Sequence, residues 1–194
     1  MKREAGFTLL EMLVSLAVFS VALLIIMVTL FSVFNAQRKA IAIQNAQDNL
    51  RFAFEHMTKE IRVGRVFHCG ISGTLTQPQD CPNGSTPSSF SFKNDVGQTV
   101  TYQVISNQLV KSSTASRPCD NSPPTLADCQ KITAPEVVIV DRVAFYVDGS
   151  AAFDGKQDRV TIVLEGQVRD PRGIGTAELN LQTTVSKRSL VDQP

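Results

Sequence analysis

Between Phe7 and Phe34 a single charged side chain, Glu11, stands in an otherwise uncharged and largely apolar run. A carboxylate inside an apolar helix costs about 2.5 to 3.5 kcal/mol on membrane-insertion scales, so it calls for a cationic partner. The chain would supply one if it were cut between Gly6 and Phe7, because the freed α-amino group of Phe7 would be a cation one helical turn from Glu11. The Glu11 carboxylate of one copy and the amine of a neighbour would then neutralise each other as both leave lipid, linking association to charge pairing.

Elsewhere the residue types exclude more than they offer. His56 and His68 are the only histidines, so a hydrolase triad or a histidine metal site has little to draw on. His56 falls on the polar side of a helical pattern, and His68 beside Cys69 reads as incidental. Asp148, Asp154 and Asp158, with Gly149 and Gly155, form an acidic loop that is the best candidate for Ca²⁺. Their spacing is not that of an EF-hand, and a hairpin loop needs Asp and Gly in any case, so no metal site is expected. No phosphate-cradling glycine loop ending in Lys-Ser or Lys-Thr is present, and the sequon Asn83-Gly84-Ser85 is short enough to recur by chance. No cofactor and no enzymatic activity are expected.

The net charge of +1, with no dense cluster of Lys and Arg away from the ends, gives no push toward nucleic acid. The stretches 71–91 and 112–135, rich in Pro, Ser, Thr, Asn and Gly, read as loops. Arg117 and Lys131 are their only cations, too few for phosphate-driven affinity.

The element that must hold Glu11 is a long helix. Met12 to Phe34 is about long enough to cross a bilayer as a helix at roughly 1.5 Å per residue. Lys2 and Arg3 precede it, which by the positive-inside rule keeps the N-terminus cytoplasmic and places the residues beyond Phe34 across the membrane. A cleaved secretory signal fits less well: the apolar run exceeds the usual core of about 7 to 15 residues, and Ala36, the best small-residue stop, has Phe34 two positions earlier.

After Phe34 the helical rhythm persists, with Ile43, Ala46, Leu50, Phe54, Met57 and Ile61 recurring at spacings of three and four. The spacing predicts one helix to about Val63, roughly 85 Å long at the standard rise, with Gly64 as its stop. Strands are expected at 90–93, 98–105, 108–112, 136–147, 159–168 and 177–186, with Ser106-Asn107 turning a hairpin. An antiparallel sheet laid on the second half of the helix would bury its stripe. The fold class is therefore α+β, organised as 1–6, an apolar helix half 7–34, an amphipathic half 35–64 and a β-rich head 65–194.

Four cysteines, Cys69, Cys81, Cys119 and Cys129, all lie beyond the apolar run, and none forms a Cys-x-x-Cys pair. Outside the cytoplasm they favour disulfides over a metal or redox site. Local pairing, Cys69 with Cys81 and Cys119 with Cys129, is the expected connectivity among the three that four cysteines allow.

The string Gly6-Phe7-Thr8-Leu9-Leu10-Glu11-Met12 behind Lys2 and Arg3 resembles the processing signal of type IV prepilins and type II secretion pseudopilins. That resemblance implies a short leader, 1–6, removed by prepilin peptidase after Gly6, N-methylation of Phe7, and a role for Glu11 in filament assembly. It implies as partners the peptidase, an inner-membrane assembly platform, the membrane, and other pilins or pseudopilins meeting through the helix. The head of a single-pass inner-membrane protein would then enter a pilus or pseudopilus. Asn49 to Glu55, Lys59 to Arg62 and Cys69-Gly70 are similar to W-type minor pilins, and Thr183 to Arg188 to the last strand of that group and of J-type minor pseudopilins. Many type IVa major pilins carry a helix-breaking proline in the apolar run, whereas none occurs here before Pro78. The expectation is a minor subunit of a type IV pilus, at the tip or initiating assembly. The alternatives are a minor pseudopilin in protein export, an adhesin or DNA-uptake subunit, and a plain membrane-anchored protein.

Overall fold

The structure is a computed structural model that describes residues 6–71, 73–113, 129–151, 155–169 and 177–188. Among the described residues a long helix, α1 (Leu9–Val63), and a short 3-10 turn (Pro82–Gly84) accompany eight strands: β1 (Arg65–Cys69), β2 (Ser89–Lys93), β3 (Thr99–Ile105), β4 (Gln108–Ser112), β5 (Cys129–Lys131), β6 (Val138–Asp148), β7 (Arg159–Val168) and β8 (Glu178–Ser186). The chain divides into two compact units, Met1–Ile41 and Ala42–Pro194.

In the first unit α1 exposes all its side chains up to Ile41. With no glycine or proline between Phe7 and Val63, nothing in the sequence interrupts its backbone ladder. Three of its hydroxyls turn inward: Ser15 donates to the Met12 carbonyl at 3.0 Å, Ser20 to Leu16 at 2.8 Å and Thr29 to Ile26 at 2.8 Å. Such back-bonding satisfies polar groups within the helix, as an apolar medium requires.

In the second unit the expected stripe is the core face. Ala46, Leu50, Ala53, Met57 and Ile61 are buried, with Ile43 and Phe54 partly so. The helix ends at Val63 as the pattern predicts, and the Gly64 amide bonds to the Ile61 carbonyl at 3.0 Å. Gly64 is needed there for close approach: a Cβ would lie 2.5 Å from the Phe92 ring.

The strands form two sheets where one was expected. Five strands run in sequential order β1-β2-β3-β4-β5 and three in the order β6-β7-β8, all antiparallel. Five of the expected strands lie within two residues of β2, β3, β6 and β8 or match β4, and β7 matches to the residue. Strands β1 and β5 were not expected, and the loops assigned to 71–91 and 112–135 are shorter by the residues that β2 and β5 take. β1 hides its period because its register shifts between Arg65 and His68, where β-branched Val66 takes φ +56°. β5 has only three residues to show one.

An aromatic cluster joins the sheets. Phe90 and Phe92 share one face of β2 and stack at 5.5 Å; Phe90 also stacks on Phe145 of β6 at 5.7 Å, and Phe67 meets Phe90 edge-on at 5.6 Å. Aromatic contacts of this geometry add about 0.5 to 1.5 kcal/mol each beyond area burial. On the other face of β2, buried Ser91 bonds to Thr101 Oγ1 at 3.0 Å, so its hydroxyl is satisfied. At the β3–β4 turn Ser106 and Asn107 both have positive φ, as a two-residue hairpin loop requires. Asn107 then ties the sheets: its Nδ2 donates to the Val140 carbonyl at 3.2 Å and its carbonyl accepts the Val140 amide at 2.9 Å.

Candidate functional site at the helix N-terminus

Gly6, Phe7 and Thr8 lie ahead of α1 in exposed, non-helical backbone. The Gly6–Phe7 bond is thus outside the helical ladder. A Cβ on Gly6 would meet nothing within 4 Å, so nothing described in the fold demands glycine at that position.

Thr8 starts the helix. Its carbonyl accepts the Met12 amide at 3.2 Å, and its Oγ1 accepts the Glu11 amide at 3.3 Å. This is an N-cap with its bond to the third helical residue, and Thr8-Leu9-Leu10-Glu11 has the spacing of a capping box. Sequence inspection does not single out Thr8, although the Thr-x-x-Glu signature was there to be read. The Glu11 carboxylate in the first turn also sits where the helix dipole favours negative charge. Unlike the hydroxyls of Ser15, Ser20 and Thr29, it has no hydrogen-bond or ionic partner among the described residues. Leu10, Val14, Val18 and Phe19 leave an open apolar surface around it.

The other residues singled out in the sequence fall in the second unit. Cys69 and Cys81 form a disulfide, with Cα atoms 5.1 Å apart. Cys129 is disulfide-bonded too, while Cys119 lies outside the described residues. His68, read as incidental, is buried, and its Nδ1 lies 3.0 Å from the Gln77 carbonyl, so it helps to organise the loop that the Cys69–Cys81 bond closes.

Asp148 and Asp158 are committed to cations. Asp148 accepts from Arg159 Nε at 3.0 Å and Lys156 Nζ at 3.3 Å; Asp158 accepts from Lys187 at 2.9 Å. The Arg159 hydrogen bond holds the Asp148 carboxyl below its ordinary value, opposed in part by burial and reinforced by Lys156. Asp154 lies outside the described residues, and among those described no group of three or more His, Cys, Asp or Glu could hold a metal ion.

His56 belongs to a polar cluster instead of a simple solvent face. Glu60 accepts from Tyr102 at 2.6 Å and from Lys111, and His56 Nε2 lies 3.9 Å from Glu60. Burial, reinforced by Glu60, pushes the Tyr102 hydroxyl far up from its ordinary value, so it stays a donor. The cluster fastens β3 and β4 to α1.

Residues 1–27 match the prokaryotic N-terminal methylation motif, the type IV prepilin-like signal. No curated protein and no solved structure matched the chain. The motif supports a type IV pilin or pseudopilin substrate of prepilin peptidase and points to a structural subunit rather than an enzyme. One long apolar N-terminal helix with antiparallel sheets is an α+β arrangement consistent with the type IV pilin fold. Length and composition make α1 capable of crossing a membrane, in keeping with a single-pass anchored subunit. The match ends at residue 27 and carries no information on subtype, so the likeness of residues 49–70 and 183–188 to W-type and J-type proteins is not supported by it.

Proposed function

We propose that the chain is a non-enzymatic minor subunit of a type IV pilus, at the tip or initiating assembly, matured by cleavage after Gly6 and N-methylation of Phe7. The observation that carries this reading is the methylation motif lying on an exposed helix whose first turn holds a carboxylate with no partner among the described residues. Cleavage would create the missing cation at Phe7, and a neighbouring subunit's Glu11 would meet it during extraction from lipid. Open space around Gly6 supports a peptidase requirement at that position, since packing against the described residues supplies none. The proline-free helix supports a minor subunit over a bulk one. Lys2 and Arg3 support a cytoplasmic N-terminus, with the head on the far side of the membrane.

Mass spectrometry of the chain from cells containing the peptidase tests the maturation step. A mature protein beginning at N-methylated Phe7 is expected, and retention of the first six residues or a cut near Ala36 would sink the proposal. A Glu11→Ala variant should be cleaved normally yet enter filaments poorly. Normal incorporation would remove the charge-pairing argument while leaving the processing result intact. Deleting the chromosomal gene should sharply reduce pilus number if the subunit initiates assembly, and unchanged piliation would redirect the assignment to a pseudopilus.

A further inference from the structure

The two edges of the three-stranded sheet differ. The outer edge of β6 is covered: the Phe145 amide bonds to the Pro87 carbonyl and the Val140 amide to the Asn107 carbonyl, each at 2.9 Å, while the Cys81 amide bonds to the Val147 carbonyl at 3.0 Å. The outer edge of β8 has no backbone partner among the described residues. Nor does it carry the usual defences, for no Pro, Lys or Arg occurs between Glu178 and Ser186.

Beside β8 lies a groove of about 710 Å³, bounded by Phe54 and Thr58 of α1 and by Leu181 and Thr183 of β8. Leu181 shares the inward row of β8 with Leu179 and Val185, yet it is 37% exposed where they are 9% and 2%. Its apolar surface opens into the groove. The lining is acidic: Asp48, Glu55 and Glu178 outnumber Arg51, which is already bonded to Glu55 at 3.2 Å. Asp48 and Glu178 have no ionic partner among the described residues.

We propose that this edge and groove receive an extended basic segment of a partner protein, added to β8 as a fourth strand. An apolar side chain of that segment would cover Leu181 and Phe54, and its cations would face Asp48 and Glu178. Strand addition of this kind draws affinity from main-chain bonds and specificity from alternate side chains. A second copy pairing through its own β8 fits less well. β8 runs in the same sense as α1, since Glu178 to Thr183 lie along Gln47 to Thr58 and the Arg188 amide bonds to the Arg62 carbonyl. Antiparallel β8–β8 pairing would set the two Ala42–Val63 helical segments in opposite senses and bring the acidic groove of each copy, with Asp48 and Glu178, beside that of the other, like charge against like.

The test uses the full chain in zwitterionic nanodiscs and two capped peptides, Lys-Val-Lys-Val-Lys-Val and Glu-Val-Glu-Val-Glu-Val. The basic peptide should bind at least about tenfold more tightly, as complementary charge predicts, and should slow hydrogen exchange in β8. Asp48→Lys, on the exposed helix surface, and Leu181→Lys should each lower its affinity by about tenfold, the first by charge and the second by edge blocking. Equal binding of both peptides, protection confined to other strands, or affinity unchanged by Asp48→Lys would overturn the proposal. So would self-association of the chain that Leu181→Lys abolishes, which would assign the edge to a second copy. Failure here leaves the processing test untouched, because the groove involves neither Phe7 nor Glu11.

Discussion

The two parts of α1 obey one backbone geometry and opposite rules of burial. Up to Ile41 every described side chain is exposed and the hydroxyls of Ser15, Ser20 and Thr29 bond back to their own helix, whereas from Ala46 to Ile61 one stripe is buried in the core. The difference teaches where each kind of free energy resides. The first part contributes little to the head's own stability and keeps its apolar surface for lipid or other chains; the second cannot be altered without opening the core. Hydrophobicity alone would rank them the other way round, because the more apolar part is the one that buries nothing within the chain.

The largest effect should come from cutting into the buried stripe. Leu50→Ala should destabilise the head by about 2 to 5 kcal/mol in chemical denaturation, as buried Leu truncations do. Leu24→Ala, on the exposed part, should leave the head's unfolding midpoint unchanged, and equal effects would break the comparison. Next is the disulfide at the end of β1. Replacing Cys69 and Cys81 together by Ser should cost about 3 kcal/mol for a loop of this length, visible as a lower melting temperature of the head with helical signal from the first part retained.

A smaller and more local loss is expected at the start of the helix. Thr8→Val removes the cap and should cost about 1 kcal/mol of first-turn stability, read as faster exchange of the Glu11 amide with no change in head unfolding. The smallest effect is set by pH. Asp148 titrates below its ordinary value when folded, so its contribution is present above the unfolded carboxylate pKa of about 3.9 and fades as pH falls through the folded value. Asp148→Asn should flatten the acid limb of the head's stability profile while leaving the helix's first turn unaffected; an unaltered limb would show that Arg159 and Lys156 are not coupled to folding.

Legibility followed periodicity. The helix from its apolar start to Val63, and strands β4 and β7, repeat their patterns long enough or cleanly enough to be located in the sequence. β1 escaped because Val66 at positive φ breaks its alternation, and β5 because three residues in a polar stretch carry no period. Division into two sheets was hidden for a different reason: alternation shows which side chains point inward but not which strand lies alongside. Glu11 stood out through composition, since a lone carboxylate in an apolar run is conspicuous, whereas Gly6 and Phe7 stood out through the resemblance of residues 6–12 to a prepilin processing signal. Thr8 was legible only through its Thr-x-x-Glu spacing from Glu11, a helix-start signal masked by the more conspicuous carboxylate.

By itself the sequence determined the elements whose causes are local: a helix free of Gly and Pro, its amphipathic second half, most of the strands and the N-terminal motif. Tertiary structure decided what depends on neighbours distant in the chain. Only packing shows that Gly64 makes room for Phe92, that His68 is buried in a closed loop, that Asp148 is held by Arg159, and that β6 is covered while the outer edge of β8 has no backbone partner among the described residues. The reason is physical. Helix and strand periods are written in neighbouring residues, whereas register between strands, edge exposure and ion pairing depend on how the chain returns upon itself.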